Sequence, residues 1–392
     1  MTESGLVIVD KSAGLTSHDV VARIRRIAGT RRVGHAGTLD PMATGVLVVG
    51  IEKATRLLGH LMLTEKEYSA TIRLGQSTTT DDADGEILSS PDGLGSSSGT
   101  SGLDVPGRSP LPPTTGVIAA EVSGLALQSA LAAFTGTIQQ VPPGISAIKV
   151  NGKRAYHLTR SGAAPELAAR PVTVRRLELL AVRTAGDLLD IDVEVTCSSG
   201  TYIRAIARDL GAVLGTGGHL TALRRTRVGP YLIGTARTLH ELATSFEFIP
   251  LADAAAGAFA RRDLTADEAR LVSHGARLPA VGLHAAESAR LEPDVLATDD
   301  LATDDLATDD METVAHCAAV LDDPVHPVQA AVLGPVVAAG PVAPGAVAAA
   351  DSAVPGPAAV PGPVAAFGPD GTLIALLVEK DGEMRSLAVF VP

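Results

Sequence analysis

Residues 34–45 constrain the fold more than any other part of this 392-residue chain. They read Gly-His-Ala-Gly-Thr-Leu-Asp-Pro-Met-Ala-Thr-Gly, and the apolar run 46–51 that follows predicts a buried strand. Asp40 precedes a proline, which biases its backbone away from the helical region. The glycines permit a positive φ or the close approach of another chain. The segment therefore presents one carboxylate on a rigid turn, although an ordinary Asp-Pro turn without a chemical role explains the same residues.

The remaining elements follow from hydrophobic periodicity and turn residues, which together predict an α+β protein. Ser17 is the predicted N-cap of the first helix. The predicted strands are 5–10, 46–51, 66–75, 171–183, 188–197, 220–228, 364–367, 372–379 and 385–391. The predicted helices are 18–27, 53–63, 127–134, 202–210, 238–244 and 265–273. Asn151 and Gly152 predict a hairpin turn, with a helix after it.

Two segments predict insertions without a packed core. Residues 87–115 are rich in Ser, Gly and Pro, and residues 286–363 combine three Leu-Ala-Thr-Asp-Asp repeats with an Ala/Pro-rich stretch. The length suggests two or three domains, and we predict a boundary between 1–237 and 238–392.

The net charge of −12 is unevenly distributed and does not exclude a nucleic-acid partner. Residues 287–323 hold twelve acids and one base, a net charge of −11, which leaves −1 for the rest of the chain. Residues 149–237 hold fourteen bases and seven acids, a net charge of +7. We therefore expect a basic surface able to bind a phosphate backbone, together with an acidic insertion.

The two cysteines, Cys197 and Cys317, match no zinc or redox spacing, which favours a reduced, cytoplasmic protein. No apolar run is long enough to cross a membrane, so we expect no membrane partner. His35 has no metal-spaced partner, and no phosphate loop or dinucleotide fingerprint is present. The sequence therefore predicts neither a metal nor a cofactor.

Asp40, Tyr68 and Arg204 each lie near the start of a predicted strand or helix after a loop. Taken singly, Tyr68 is explained as a half-buried strand aromatic and Arg204 as a surface helix charge. Lys149 could contact phosphate, although a plain hairpin turn explains its segment equally well. No Ser/His/Asp arrangement with a nucleophile elbow occurs.

These residues occur in an ordered set of motifs that resembles the bacterial TruB-type tRNA pseudouridine synthases. The resemblance covers about 5–86 and 116–250, and the last residues resemble the small RNA-binding C-terminal domain of actinobacterial members. The motifs are residues 34–45, Val9-Asp10-Lys11, Lys66-x-Tyr68, Pro142-Pro143-x-x-Ser146-Ala147-x-Lys149, Gly200-Thr201-Tyr202-Ile203-Arg204 and Leu223-Arg224-Arg225-Thr226. Ser12 replaces the usual proline and Ile145 a common tyrosine, which leaves fine substrate contacts in question.

The resemblance implies a pseudouridine-synthase fold, with a central mixed or antiparallel sheet flanked by helices and a small PUA-like C-terminal β module. It also implies a cofactor-free isomerase, expected to be a monomer, that converts the T-loop uridine of tRNA (position 55) to pseudouridine. Asp40 would be the catalytic carboxylate, acting first as nucleophile or as base. Arg204 would pair with Asp40 and keep it ionised. Tyr68 would stack on the uracil and could help take the C5 proton.

The same resemblance implies substrate contacts for four further residues. His35 would fill the space left by the flipped uridine, and Leu223 would pack against the flipped base. Lys11 and Lys149 would also contact the substrate. Two alternatives stay open: a non-catalytic RNA-binding or tRNA-folding protein of this fold, and a hydrolytic glycosidase, which would need a second carboxylate as general acid.

Overall fold

Two β-sheets carry the fold of the computed structural model, which confirms the α+β class. The structure describes residues 3–89, 122, 124–145, 149–150, 153–154, 167–280 and 362–391. All of them belong to one unit formed by Met1–Asp294 and Val360–Pro392; the other unit, Val295–Ala359, lies outside the described residues.

The secondary structure of the described residues alternates strands with short helices. The strands are β1 (Gly5–Lys11), β2 (Val33–Ala36), β3 (Thr44–Ile51), β4 (Lys66–Leu74), β5 (Ser77–Thr78), β6 (Ile87–Ser89), β7 (Gly136–Gln140), β8 (Lys149–Val150), β9 (Lys153–Arg154), β10 (Arg170–Ala185), β11 (Leu188–Cys197), β12 (Gly218–Val228), β13 (Tyr231–Leu232), β14 (Ile249–Pro250), β15 (Ala260–Asp263), β16 (Leu278–Pro279), β17 (Val364–Phe367), β18 (Leu373–Lys380) and β19 (Glu383–Val389). The helices are α1 (Ser17–Ala28), α2 (Leu58–Leu61), α3 (Gly124–Ala133), α4 (Ile203–Val213), α5 (Leu239–Thr244), α6 (Leu251–Ala258) and α7 (Ala266–Ser273).

The larger sheet has the order β14-β1-β3-β12-β4-β11-β10-β7, with β2 added to β3 and β13 added to β12. Its pairings are antiparallel except for the short β3–β12 contact, which joins Arg224 to Thr44 and Arg225 to Gly45. The two halves of the sheet therefore meet where β3 leaves the 37–43 loop, beside Asp40.

Strands β1 and β3 are apolar along their length because both of their faces are buried. Val7, Val9, Leu47 and Val49 pack into one core with α1, α3, α4 and the rest of the large sheet. The alternate residues, such as Val46, pack into a second core with α2, α6 and the C-terminal sheet. This double burial explains why the sequence shows a continuous run here and a clear alternation in β11.

The smaller sheet, ordered β15-β17-β18-β19-β16, is the predicted C-terminal β module. One of its faces packs on the second core, and the other buries Leu264 and Val272 beside α7. Lys53 also ties it to the larger sheet, since its ammonium donates to the carbonyl of Phe390 at 2.7 Å. The sequence missed α6 and β15, which link the two sheets.

Three local predictions need correction. The N-cap of α1 is Thr16, not Ser17: Thr16 and Asp19 form a reciprocal capping box, and Ser17 is a buried first-turn residue. The predicted helix 53–63 is instead a 3-10 turn, Glu52–Leu57, followed by the single turn α2. His35 lies in the short strand β2, which the sequence did not predict.

The predicted insertion 87–115 begins too early, because Ile87–Ser89 pairs with Ser77–Thr78. The rest of that insertion lies outside the described residues, as do nearly all of 286–363, the Leu-Ala-Thr-Asp-Asp repeats, and the helix predicted after Gly152. The predicted hairpin around Asn151 and Gly152 is present as the pair β8–β9.

Candidate active site

The 37–43 loop holds Asp40 just before β3, an interior strand of the larger sheet. Ser17, in the first turn of α1, accepts a hydrogen bond from the Leu39 backbone N–H at 2.9 Å and donates to the Leu39 carbonyl at 3.2 Å. The ammonium of Lys11 donates to the Pro41 carbonyl at 3.1 Å. The loop also closes on itself through the Ala43 N–H and the Asp40 carbonyl, 3.1 Å apart. These bonds on both sides of Asp40 fix the backbone of the loop that carries its carboxylate.

Arg204 forms a bidentate ion pair with Asp40. Its Nε and Nη2 donate to the two carboxylate oxygens, each at 2.9 Å. The other donors of the guanidinium bond the carbonyls of Thr80 and Ile145 at 2.9 and 3.1 Å. The Arg204 side chain is 5% exposed and that of Asp40 is 33% exposed. The arginine is therefore a buried support, and the carboxylate is the partner that faces outward.

Gln140 orients the segment that delivers Arg204. Its side-chain amide donates to the Tyr202 carbonyl at 3.1 Å and accepts from the Tyr202 N–H at 2.8 Å. Tyr202 is the N-cap residue of α4, and its own side chain makes no cap hydrogen bond. A buried amide from β7 therefore holds the helix N-terminus that places Arg204.

Tyr68 and Leu223 line one cavity of about 360 Å³ together with Asp40 and Arg204. Tyr68 lies on β4 and Leu223 on the neighbouring β12. Burial raises the pKa of the Tyr68 phenol to about 12, although the charge of Arg225 acts in the opposite direction. The phenol is therefore neutral at neutral pH.

Three cations, Lys11, Lys66 and Arg225, lie against the 37–43 loop, and the sequence analysis assigned no role to the last two. Lys11 and Lys66 are buried, and burial lowers the pKa of each ammonium to about 8. The Lys66 ammonium donates to the carbonyls of Met62 and Thr64 at 2.8 and 2.7 Å. Arg225 is 1% exposed and lines the cavity with Lys66. The motifs Lys-x-Tyr and Leu-x-Arg contain Lys66 and Arg225, but nothing in the sequence showed that these two side chains are buried.

The glycines of the motif serve contacts within the protein. Gly45 has φ +99°, and a Cβ added there would lie 2.2 Å from the carbonyl oxygen of Arg225. A Cβ on Gly34 would lie 3.0 Å from a methyl carbon of Leu58. The sequence predicted the close approach of another chain, whereas the close neighbours of these two glycines are β12 and α2 of the chain itself.

The three other predicted substrate contacts, His35, Lys11 and Lys149, lie in different surroundings. His35 is largely buried beside His18, with ring centroids 5.6 Å apart, and burial lowers the pKa of its imidazole to about 4. Its Nδ1 has no hydrogen-bond partner among the described residues. Lys11 lies under the loop, bonded to three carbonyls. Lys149 opens β8, and its side chain lies outside the described part of the structure.

A second carboxylate lies near Arg204 but behind it. Asp82 is 3.5 Å from the Arg204 Nε, with a side chain only 6% exposed, whereas Asp40 faces the cavity. This is not the pair of accessible carboxylates that flanks the bond cleaved by a glycosidase. Within the described residues, no group of three or more His, Cys, Asp and Glu side chains could hold a metal ion. No helix in the described part of the chain is long and apolar enough to span a membrane.

Comparison with family models matches most of the described chain. The model described as TruB family pseudouridylate synthase (N terminal domain) matches residues 25–97 and 114–203. The tRNA pseudouridylate synthase B C-terminal domain matches 204–254, and the model described as tRNA Pseudouridine synthase II, C terminal, matches 352–391.

Curated relatives are similar over nearly their whole length. The tRNA pseudouridine synthase B of Thermobifida fusca (strain YX) is 56% identical over 294 residues, which are 74% of this chain and 91% of that protein. The protein of the same name from Arthrobacter sp. (strain FB24) is 57% identical over 279 residues, 71% of this chain and 83% of that protein.

Among solved structures, a chain of a Cbf5-Nop10-Gar1 complex matches with a TM-score of 0.58 at 22% identity, covering 99% of this chain and 85% of that one. That likeness shows the pseudouridine-synthase fold. The family models and the curated relatives confirm the resemblance found in the sequence: the chain belongs to the TruB family of tRNA pseudouridine synthases.

Proposed function

We propose that this tRNA pseudouridine synthase acts on the T-loop uridine at position 55 and that Asp40 is its catalytic carboxylate. The observation that carries the proposal is the bidentate Asp40–Arg204 pair on the wall of a cavity lined by Tyr68 and Leu223. A fixed carboxylate facing a small cavity suits reaction at the sugar of a flipped nucleoside. Binding RNA alone would not need such a group, since a carboxylate repels phosphate.

The reaction conserves every atom of the substrate. The bond between N1 of uracil and C1′ of ribose breaks, the uracil turns, and a bond forms between C5 and C1′. The proton on C5 is lost and N1 gains one. Asp40 either attacks the sugar or removes a sugar proton in the first step. Arg204 supports both routes, because its two hydrogen bonds stabilise and orient the ionised carboxylate.

Tyr68 is proposed to pack against the uracil. Because burial raises its pKa to about 12, the phenol carries its proton at neutral pH. A protonated phenol cannot accept the C5 proton directly, so this pKa favours the stacking role over the role of base. Leu223, across the same cavity, is proposed to contact the base from β12.

The remaining contacts concern the folded T-arm. His35 is proposed to occupy the space left by the flipped uridine as a neutral imidazole, since its pKa of about 4 keeps it uncharged. Lys11 is proposed to act mainly by holding the loop, and Lys149 by contacting RNA. The basic segment 149–237 is proposed to bind T-arm phosphates.

We also propose that residues 1–237 form the catalytic domain and 238–392 a PUA-like RNA-binding domain. The smaller sheet supports this division, since it has its own core beside α7. A monomeric enzyme that needs no cofactor, working in the cytoplasm where tRNA is processed, is part of the same proposal.

The test uses unmodified tRNA and three proteins: wild type, Asp40→Asn and Asp190→Asn. Asp190 is a matched control, because it also receives two hydrogen bonds from one arginine, Arg73, at 2.7 and 2.8 Å. We expect wild type and Asp190→Asn to form pseudouridine at position 55 and Asp40→Asn to form none. Pseudouridine at another position, or equal activity of Asp40→Asn, contradicts the proposal.

The same reaction separates the alternatives. Release of free uracil would indicate a glycosidase. Tight tRNA binding by wild type without any pseudouridine would indicate a non-catalytic RNA-binding protein.

A further inference from the structure

Arg225 is a buried cation for which the reaction scheme above has no role. Its side chain is 1% exposed, and it makes no ion pair with a described carboxylate. An arginine buried without a carboxylate is costly unless hydrogen bonds compensate for the lost hydration. Its position is therefore informative about what it holds in place.

The guanidinium of Arg225 connects three parts of the site. Its Nε donates to the carbonyl of Val46 in β3 at 2.7 Å, and its Nη2 donates to the carbonyl of Gly37 at 3.0 Å. Gly37 opens the loop that carries Asp40. In the other direction, Arg225 on β12 lies directly opposite Tyr68 on β4. Directly opposite residues of neighbouring strands project from the same face, and both side chains line the cavity.

We propose that Arg225 is a positioning residue that fixes the Tyr68 phenol relative to the Asp40 loop. The distance between the Tyr68 ring, which is proposed to pack on the uracil, and the Asp40 carboxylate then stays constant. Two hydrogen bonds to carbonyls occupy two of its five N–H donors, which leaves donors for the phenol oxygen. The phenol then keeps its own O–H for a group inside the cavity. The influence of Arg225 on the pKa of Tyr68, through charge and hydrogen bonding, agrees with this contact.

This inference rests on the proposed function, and its kinetic test is a double-mutant cycle between Arg225→Gln and Tyr68→Phe. Pseudouridine formation is measured with enzyme in excess over tRNA. We expect Arg225→Gln alone to slow the reaction at least about tenfold, with little change in the enzyme concentration that gives half the maximal rate. In the Tyr68→Phe background the same substitution should cost less than about twofold, because coupled residues are non-additive. Equal costs in the two backgrounds overturn the proposal.

A second measurement does not depend on activity. The chain has four tyrosines. In protein labelled with 3-fluorotyrosine, the Tyr68 resonance is assigned by its loss in Tyr68→Phe. Arg225→Gln should shift it and leave the resonance of Tyr231 unchanged, since that phenol donates to the Ala254 carbonyl in the other core. An unshifted Tyr68 resonance overturns the proposal.

Two controls complete the design. Arg225→Lys keeps the positive charge but loses the planar guanidinium, and it replaces Arg225→Gln in the cycle if that variant does not fold. It should show the same coupling to Tyr68. Arg73→Gln breaks the ion pair with Asp190 elsewhere on β4 and should leave both readouts unchanged. Failure of the proposed function would instead appear as an active Asp40→Asn, whatever the behaviour of Arg225.

Discussion

Replacing Gly45 by alanine should damage both the stability of the fold and the candidate active site. The backbone of Gly45 has φ +99°, which side-chain-bearing residues rarely adopt and which costs about 1–3 kcal/mol. The new Cβ would lie 2.2 Å from the Arg225 carbonyl oxygen and 2.9 Å from its nitrogen, whereas ordinary contacts begin at 3.4 Å. Strands β3 and β12 would have to separate by more than 1 Å, at a further cost of about 1–3 kcal/mol.

The expected loss is therefore about 2–6 kcal/mol, a large part of the stability of a typical domain. For a domain of this size each kcal/mol lowers Tm by about 2–4 °C, so thermal unfolding should move by roughly 10 °C. The displaced backbone belongs to Arg225, which bonds the loop of Asp40, so pseudouridine formation should also slow below the melting range.

The matched control is Gly186→Ala. Gly186 has φ +64° in the β10–β11 turn, and nothing lies within 4 Å of a Cβ built there. This variant carries the backbone cost without the collision, and it is far from the cavity. The reasoning is refuted if Gly45→Ala melts at the same temperature as Gly186→Ala, or if the two are equally active.

Other substitutions probe charge. Arg204→Lys keeps the cation but loses the bidentate geometry, so single-turnover pseudouridine formation should fall about 10²-fold or more; an unchanged rate would contradict the supporting role of the pair with Asp40. In the folded protein Lys66 has a pKa of about 8, below its ordinary 10.5. Between these two pH values the unfolded chain therefore binds more protons than the folded protein, and the free energy of unfolding should rise with pH. Urea unfolding should show wild type gaining about 1–2 kcal/mol relative to Lys66→Met from pH 8 to 10, and parallel curves would refute the burial argument. Deleting residues 296–310, which hold six acids and no base, should leave tRNA affinity and rate within about twofold, because an acidic segment repels RNA; a large loss of activity would contradict this.

Much of the fold was predictable because its core strands have strong periodicity. The alternation in β11 and the apolar runs of β1 and β3 are each dictated by which faces are buried. The first N-cap was wrong by one residue because Thr16 and Ser17 are both good caps. Thr16 has an acid three residues later, Asp19, that completes a capping box, whereas Ser17 bonds Leu39. The short strands β2 and β14 have too few residues to give a periodic signal.

The sequence by itself determined the family and the chemical inventory: one acid on a glycine-rich turn, with a tyrosine and an arginine in ordered motifs. Tertiary structure alone decided which of these groups come into contact. Asp40 and Arg204 are 164 residues apart, and their two hydrogen bonds exist only because the sheet brings the 37–43 loop against α4. A sequence motif does not show which side chains are buried. Burial keeps the Tyr68 phenol neutral, and the buried Arg225 lies opposite Tyr68 and bonds the loop. The glycines, too, are explained only by the neighbouring strand, because a Cβ at Gly45 would collide with the backbone of a residue 180 positions away.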